Sequence, residues 1–276
     1  MVRIKFFSSF CSSEVCLQRY THIYTDFIQN PSIEYTSDDN YTHAVIINTA
    51  MPSLACARTK TIGIAFEPIC YLRLTPKFID YATRNISVYY IGDNSNLPLP
   101  FTSHYAFMWH SPIPKIIPIK TMAMSIIYSQ KKETFGQKYR HDLVTKILKL
   151  GLPIDIWGKG CSSNEKKDPR IKGEFSDTEP YEKYHFTIAI ENCSLSHYVS
   201  EKFLNALIYE TTPIYYGAKC VDWKFENQFI RLNGNIQQDM DLIADILKNP
   251  SKYKKFINSH LIAEKINIRN HFPKIF

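Results

Sequence analysis

A chain of 276 residues, 45% hydrophobic and 21% charged, is long enough for two modest domains with their own cores and too apolar to be disordered. Its net charge of +7 suits an anionic partner such as a phosphate group, nucleic acid or acidic lipid, without choosing among them. The seven cysteines, at 11, 16, 56, 70, 161, 193 and 220, are scattered, odd in number and without CxxC spacing, which argues for reduced thiols rather than a disulfide framework or a zinc site.

The opening run Val2–Phe7 is too short and too charged for a signal sequence and reads as a first strand. A helix is expected over Cys16–Gln29, then buried strands at His43–Asn48 and Thr61–Phe66. Thr75–Arg84 reads as a helix with proline at its first position, and Ile86–Ile91 as the strand that follows it. Pro98, Pro100, Pro112, Pro114 and Pro118 then mark a connector, because proline lacks a donor and fixes the backbone.

Alternation restarts with a strand at Ala123–Tyr128 and a helix at Gly136–Leu150, ended by Gly151 and Pro153. A short strand at Ile154–Trp157 leads into a polar loop over 158–180. Strands follow at His185–Glu191, Pro213–Gly217 and Phe229–Leu232, with helices at Tyr198–Tyr209, Asp239–Lys248 and Ser251–Ile266. The order is that of two α/β domains, residues 1–118 and 119–276, with the last helix able to pack back on the first domain. Strand ends and helix N-termini would then surround a central cleft, where open α/β sheets bind ligands.

Chemistry concentrates in residues 186–217, FTIAIENCSLSHYVSEKFLNALIYETTPIYYG. A buried strand ends in a polar loop, and a helix follows whose apolar face is Phe203, Leu204, Leu207 and Ile208. The backbone N–H groups at a helix start favour an anion. Lys202 adds a mobile positive charge, and Glu201 can accept hydrogen bonds from a ribose. Together these suit a ribose-diphosphate. A plain βαβ unit with Glu201 and Lys202 on a solvated face fits the same residues.

The segment resembles the donor-binding signature of the α-1,3/1,4-fucosyltransferases, family ten of the glycosyltransferases. IAIEN, YVSEK and TPIYYG occur in the family's order, with Ile190 in place of Phe and Ser200 in place of Thr. The resemblance implies two Rossmann-like domains facing across a cleft (GT-B type), acceptor domain first and donor domain second. It implies that Asn192, Tyr198, Glu201 and Lys202 bind a nucleotide sugar, with Glu201 on the ribose and Lys202 on the diphosphate. Arg140 corresponds to the family's diphosphate arginine, with Ser129 beside it and Lys138 as the substitute. Glu67, in IAFEP after a strand, corresponds to the general base. The implied reaction is inverting transfer of L-fucose from GDP-fucose to a glycan hydroxyl in α-1,3 linkage. No cofactor is expected, a divalent metal is not expected to be essential, and neither nucleic acid nor a membrane span is expected. Two alternatives stay open: another donor such as UDP-xylose, making a β-xylosyltransferase, or an inactive carbohydrate-binding protein. Lacking the anchor of Golgi-type relatives, the chain is expected to be soluble and cytoplasmic, in the host cytoplasm if its source is viral.

Other constellations read as structural. Asp239-Met-Asp241 has the form of a metal-binding DxD, but it opens a helix, where carboxylates stabilise the N-terminus. The nine histidines show no ligand spacing. Trp109-His110 reads as core, and the lysines of 248–255 as a solvated helix face.

Overall fold

The computed structural model describes residues 1–24, 33–94, 96–104, 110–161 and 168–267. They form two units: Met1–Pro112 with Leu195–Ser200 and the segment from Glu264, and Ile113–Ser194 with Glu201–Ala263.

The first unit contains β1 (Val2–Ser8), α1 (Ser13–Tyr24), β2 (Ile33–Thr36), β3 (His43–Ile47), β4 (Thr61–Ile64), α2 (Ile69–Leu72), α3 (Pro76–Asn85), β5 (Val88–Ile91) and β6 (Phe101–Ser103). Its six strands are parallel, in the order β2-β1-β3-β4-β5-β6. β3 and β4 are buried along their whole length, as central strands covered on both faces must be. Gly63 is required in β4, since a Cβ there would lie 2.0 Å from the Tyr89 ring. Tyr89 crosses at that point, and its hydroxyl donates to the Asn48 carbonyl at 2.7 Å. α3 starts as its sequence directs: the Thr75 side chain accepts from the Phe78 N–H, Pro76 follows, and Phe78 and Ala82 point into the core. The helix expected at Cys16–Gln29 begins earlier, at Ser13, and runs to Tyr24; residues 25–29 lie outside the described residues. Two strands escaped the sequence reading, β2 and β6, both short and at sheet edges. β6 lies inside the proline connector, where an edge strand tolerates a missing N–H.

The second unit contains β7 (Met122–Ile127), α4 (Phe135–Lys149), β8 (Ile154–Trp157), β9 (Ile171–Gly173), α5 (Glu179–Glu182), β10 (Tyr184–Ile190), α6 (Glu201–Ile208), β11 (Thr212–Tyr216), α7 (Val221–Lys224), β12 (Ile230–Arg231), α8 (Ile236–Lys248) and α9 (Pro250–Tyr253). α10 (Ser259–Ile266) spans the division between the units. The sheet order is β12-β11-β10-β7-β8-β9, all parallel. Read from the other edge, this is the doubly wound 3-2-1-4-5-6 pattern, whose topological switch point lies between β7 and β10. Ile126, Leu143, Ile147, Ile188, Ile214 and Ile243 are core residues, each fully or almost fully buried.

Three expectations for this half are corrected. The polar loop over 158–180 carries an edge strand, β9, and a helical turn, α5. The helix expected at Tyr198–Tyr209 starts only at Glu201. The long helix expected at Ser251–Ile266 is split into α9 and α10. The break has a local cause: the Lys255 N–H donates to Thr212 Oγ1 at 3.1 Å, and Glu210 Oε1 accepts from both the Ser259 N–H and hydroxyl. These side chains draw the backbone out of helical pairing. Among the described residues no helix is long and apolar enough to cross a membrane.

Candidate functional site

In a doubly wound sheet the ligand crevice opens at the carboxyl ends of the strands flanking the switch point. Here those ends are the Ile127–Ser129 turn after β7 and the Glu191–Ser194 loop after β10. Thr134 caps α4 in a reciprocal capping box with Gln137, so the helix opens directly over this place. Its first turn touches the second loop: the Gly136 N–H donates to the Asn192 carbonyl at 3.2 Å. Glycine is needed there, because a Cβ would lie 1.9 Å from the Glu191 carbonyl oxygen.

Arg140, one turn further along α4, is 2% exposed. Its Nη2 donates to the Ile190 carbonyl at 2.5 Å and to Asn192 Oδ1 at 3.3 Å. An arginine only donates, so it fixes the Asn192 amide with the oxygen inward. What Asn192 then offers a ligand is the Nδ2 donor pair, the polarity that a phosphate oxygen needs. Glu191 is fully buried and accepts from the Tyr215 hydroxyl at 3.3 Å. The Ser194 hydroxyl donates to the Gly217 carbonyl at 3.1 Å, tying the loop to the end of β11.

Glu201 and Lys202 open α6 and form an ion pair, Nζ to Oε1 2.7 Å. Burial raises the Glu201 carboxyl, but the Lys202 charge, their hydrogen bond, a backbone N–H and Arg140 outweigh it and hold it below the usual carboxylate range. Lys202 is thereby oriented at the start of a helix, where the dipole adds to its charge. Ser129 Oγ accepts from the Lys131 N–H at 3.2 Å. Ser129 also lines a cavity of about 250 Å³ with Tyr128, Gly158, Glu174 and Phe175, beyond the ends of β7 and β8. Lys138, the substitute for Arg140, is exposed on α4.

The first unit gathers its own candidates at the carboxyl edge of its sheet. Glu67 is half-buried in the loop after β4. That loop is pinned by Asn48, whose Oδ1 accepts from the Phe66 N–H at 2.8 Å and whose φ of 53° asparagine tolerates well. The Ala65 N–H donates to the Tyr90 carbonyl at 2.8 Å. Tyr198 does not lie on α6. It belongs to the Leu195–Ser200 segment of the first unit, is 2% exposed, and packs on Gly92 just after β5. The His197 N–H donates to the Gly92 carbonyl at 3.0 Å.

Two supporting residues escaped the sequence reading. Asn48 ends an apolar strand and has no spacing signal. Glu191 lies within the IAIEN motif, but its burial against Tyr215 depends on β11 pairing beside β10. Asp239 does not open its helix: α8 starts at Ile236, and Asn235 caps it by accepting from the Gln237 and Gln238 N–H groups. Asp239, in the first turn, accepts the Tyr139 hydroxyl at 2.5 Å and the Asn233 and Gly234 N–H groups at 3.1 and 2.8 Å, which ties the preceding turn to the helix. His110 is 6% exposed, its Nδ1 2.8 Å from the Ser111 carbonyl oxygen; Trp109 lies outside the described residues.

The chain is similar to known proteins in sequence and in fold. The family model for glycosyltransferase family 10 (fucosyltransferase), C-terminal part, matches residues 117–267. Over 153 residues the chain is 29% identical to an alpha-(1,3)-fucosyltransferase of Caenorhabditis elegans, covering 51% of this chain and 40% of the relative. Over 138 residues it is 30% identical to alpha-(1,3)-fucosyltransferase B of Drosophila melanogaster, covering 48% and 30%. The chain therefore spans less than half the length of these relatives. Its fold is similar to a crystal structure of an alpha1,3-fucosyltransferase with GDP, at TM-score 0.56 and 14% identity, over 99% of this chain and 89% of that one. A second structure, with GDP-fucose, is similar at TM-score 0.50 and 17% identity, over 99% and 90%. The shared fold is the pair of Rossmann-like α/β domains of the GT-B type. With the family model covering more than half of its residues, the chain belongs to glycosyltransferase family 10 (fucosyltransferase).

Proposed function

We propose that the protein is an inverting glycosyltransferase that moves L-fucose from GDP-fucose to a glycan hydroxyl in α-1,3 linkage. The observation that supports it best is the Glu201–Lys202 ion pair at the start of α6, in the family's motif and after the loop that holds Asn192. In this reading Lys202 and the Asn192 amide contact the diphosphate, and Glu201 takes the ribose hydroxyls. Arg140 lies behind the loop, so it acts on the donor by fixing Asn192 and by adding positive potential. Ser129 borders the cavity that takes the base. Tyr198 shapes the acceptor-unit side of the motif.

The acceptor hydroxyl attacks the anomeric carbon, its proton passes to Glu67, and the bond to the diphosphate breaks. Charge grows on the departing diphosphate as the sugar gains oxocarbenium character. Lys202 and the α6 N-terminus stabilise that charge, so no divalent cation is needed. Equal activity in EDTA and in magnesium is the expected result.

Calorimetry with GDP-fucose, GDP, UDP-xylose and UDP tests the donor. Binding of the guanine ligands alone supports the reading; binding of the uridine ligands alone overturns the fucosyl part and keeps the transferase. Glu67→Gln should abolish transfer while leaving GDP-fucose affinity within about twofold, as expected for a general base. An active Gln variant removes Glu67 from the mechanism.

A further inference from the structure

The strand order of the first unit, β2-β1-β3-β4-β5-β6, reverses direction between β1 and β3. The crevice of such a sheet opens there, at the carboxyl ends of those two strands. The turn from β1 into α1 forms one lip of it: Ser8 ends β1, and Phe10 is exposed at the tip. Cys11 follows, and the chain enters α1 at Ser13. Ser12 caps the helix, its Oγ accepting from the Val15 N–H at 3.3 Å. One turn into α1, Cys16 is fully buried and its sulfur lies 3.2 Å from that of half-buried Cys11.

From this juxtaposition we infer that Cys11 and Cys16 are a modification site: a dithiol that exchanges with a low-molecular-weight disulfide and closes into an intrachain disulfide at the lip of the first sheet. The cysteine spacing gives no sign of it, because four residues separate the pair and the turn into α1 brings the sulfurs together. Contraction from 3.2 Å to a bond of about 2.05 Å needs a shift of roughly 1 Å, within reach of side-chain rotation and the turn at 9–12.

Exposure orders the two steps. The Cys11 thiolate attacks one sulfur of the disulfide and displaces one thiolate. The Cys16 sulfur then attacks the Cys11 sulfur and displaces the second. The protein loses two electrons and two protons, and the small disulfide becomes two thiols. Burial, together with the contact to Cys11, pushes the Cys16 thiol up to about 12, against a downward pull from Ser8 and Arg19. Cys16 is thus the resolving partner and Cys11 the entry point. Closure ties the turn to α1 and changes the mouth of the crevice.

Trypsin reads the site directly, because Phe6–Arg19 contains Cys11 and Cys16 and no other cysteine. The folded protein is equilibrated with mixtures of oxidised and reduced glutathione, quenched in acid, alkylated with iodoacetamide and digested. The expected product is a Phe6–Arg19 peptide two hydrogens lighter, unalkylated at both sulfurs and restored by dithiothreitol. Its formation constant should exceed that of the urea-unfolded chain by at least about tenfold, the mark of sulfurs held together by the fold. Cys11→Ser should leave Cys16 reduced under the same mixtures. The inference fails if Cys11 keeps glutathione without closing, or if both thiols stay reduced where the exposed Cys70 is modified. It also fails if the unfolded chain closes the bond as readily as the folded one.

Discussion

Lys202 is the side chain whose removal should be felt most directly. A charged hydrogen bond to a phosphate contributes about 1.5–3 kcal/mol, so Lys202→Ala should weaken GDP binding roughly tenfold to hundredfold in calorimetry. Unchanged affinity would end its diphosphate role. Glu201 has a depressed carboxyl pKa in the folded chain, so its pairing with Lys202 is complete above the ordinary carboxylate range. Protonation breaks the pair only as the pH falls through the depressed value. GDP affinity should therefore be level across neutral pH, and Glu201→Gln should remove any loss seen in the acid limb. Arg140 differs in kind. Its guanidinium holds the Ile190 carbonyl and Asn192, so Arg140→Met should lower stability by about 1–3 kcal/mol and weaken nucleotide binding together. The identities of Arg140, Asn192, Glu201 and Lys202 were legible in the motif. That one of them is buried and acts through another was not, because burial depends on which strand lies beside β10.

Elements position these residues through a few close approaches. Gly136 lets the first turn of α4 lie against the loop after β10. In Gly136→Ala, overpacking of this kind costs about 1–3 kcal/mol, and the helix start should move off Asn192. A lower thermal midpoint together with weaker GDP binding is the expected pair of results. At the opposite end of the sheet, the three N–H donors of Lys120 Nζ lie among four oxygens, the Tyr181, Glu182 and Tyr209 carbonyls at 3.1, 3.0 and 2.6 Å and Thr211 Oγ1 at 2.9 Å. It joins the entry to β7 to the segments before β10 and β11. Lys120→Met removes the donor of the Glu182 and Tyr209 carbonyls, while the Tyr181 carbonyl keeps the Thr211 hydroxyl, and should destabilise the second unit by on the order of 1–3 kcal/mol for each group not rehydrated. Urea unfolding measures it. Long elements with full apolar periodicity, such as α4 and α8, were readable within a residue or three of their ends. β2, β6 and β9 are short edge strands, and their pairing is supplied by neighbours distant in sequence.

At the scale of the molecule, acid sensitivity should have its largest single histidine contribution from His110. Burial holds its pKa down to about 4, against a weaker upward pull from the Ser111 carbonyl. Between that value and the ordinary value of about 6.5 the unfolded chain binds the extra proton, so stability falls as the pH is lowered through this window. The full span corresponds to roughly 3 kcal/mol, and His110→Gln should reduce the pH dependence of urea unfolding between pH 4 and 6.5, the remainder coming from His43, His141, His185 and His197, whose pKa values burial also lowers. Each sheet carries its candidate residues at its carboxyl edge for the same reason. A parallel sheet is covered by helices on both faces, so loops at the strand ends are where polar groups can meet a ligand.

The alternation of strands and helices, the doubling of the α/β unit and the motif of residues 186–217 are all legible without coordinates, because each is written in local periodicity or in contiguous residues. It takes the packed chain to show that Tyr198 packs after β5 and not on α6, and that Arg140 stands behind Asn192. The same holds for Asn48 pinning the Glu67 loop and for Cys11 meeting Cys16. Each of these depends on strand order, capping or a missing Cβ, which no window of neighbouring residues contains.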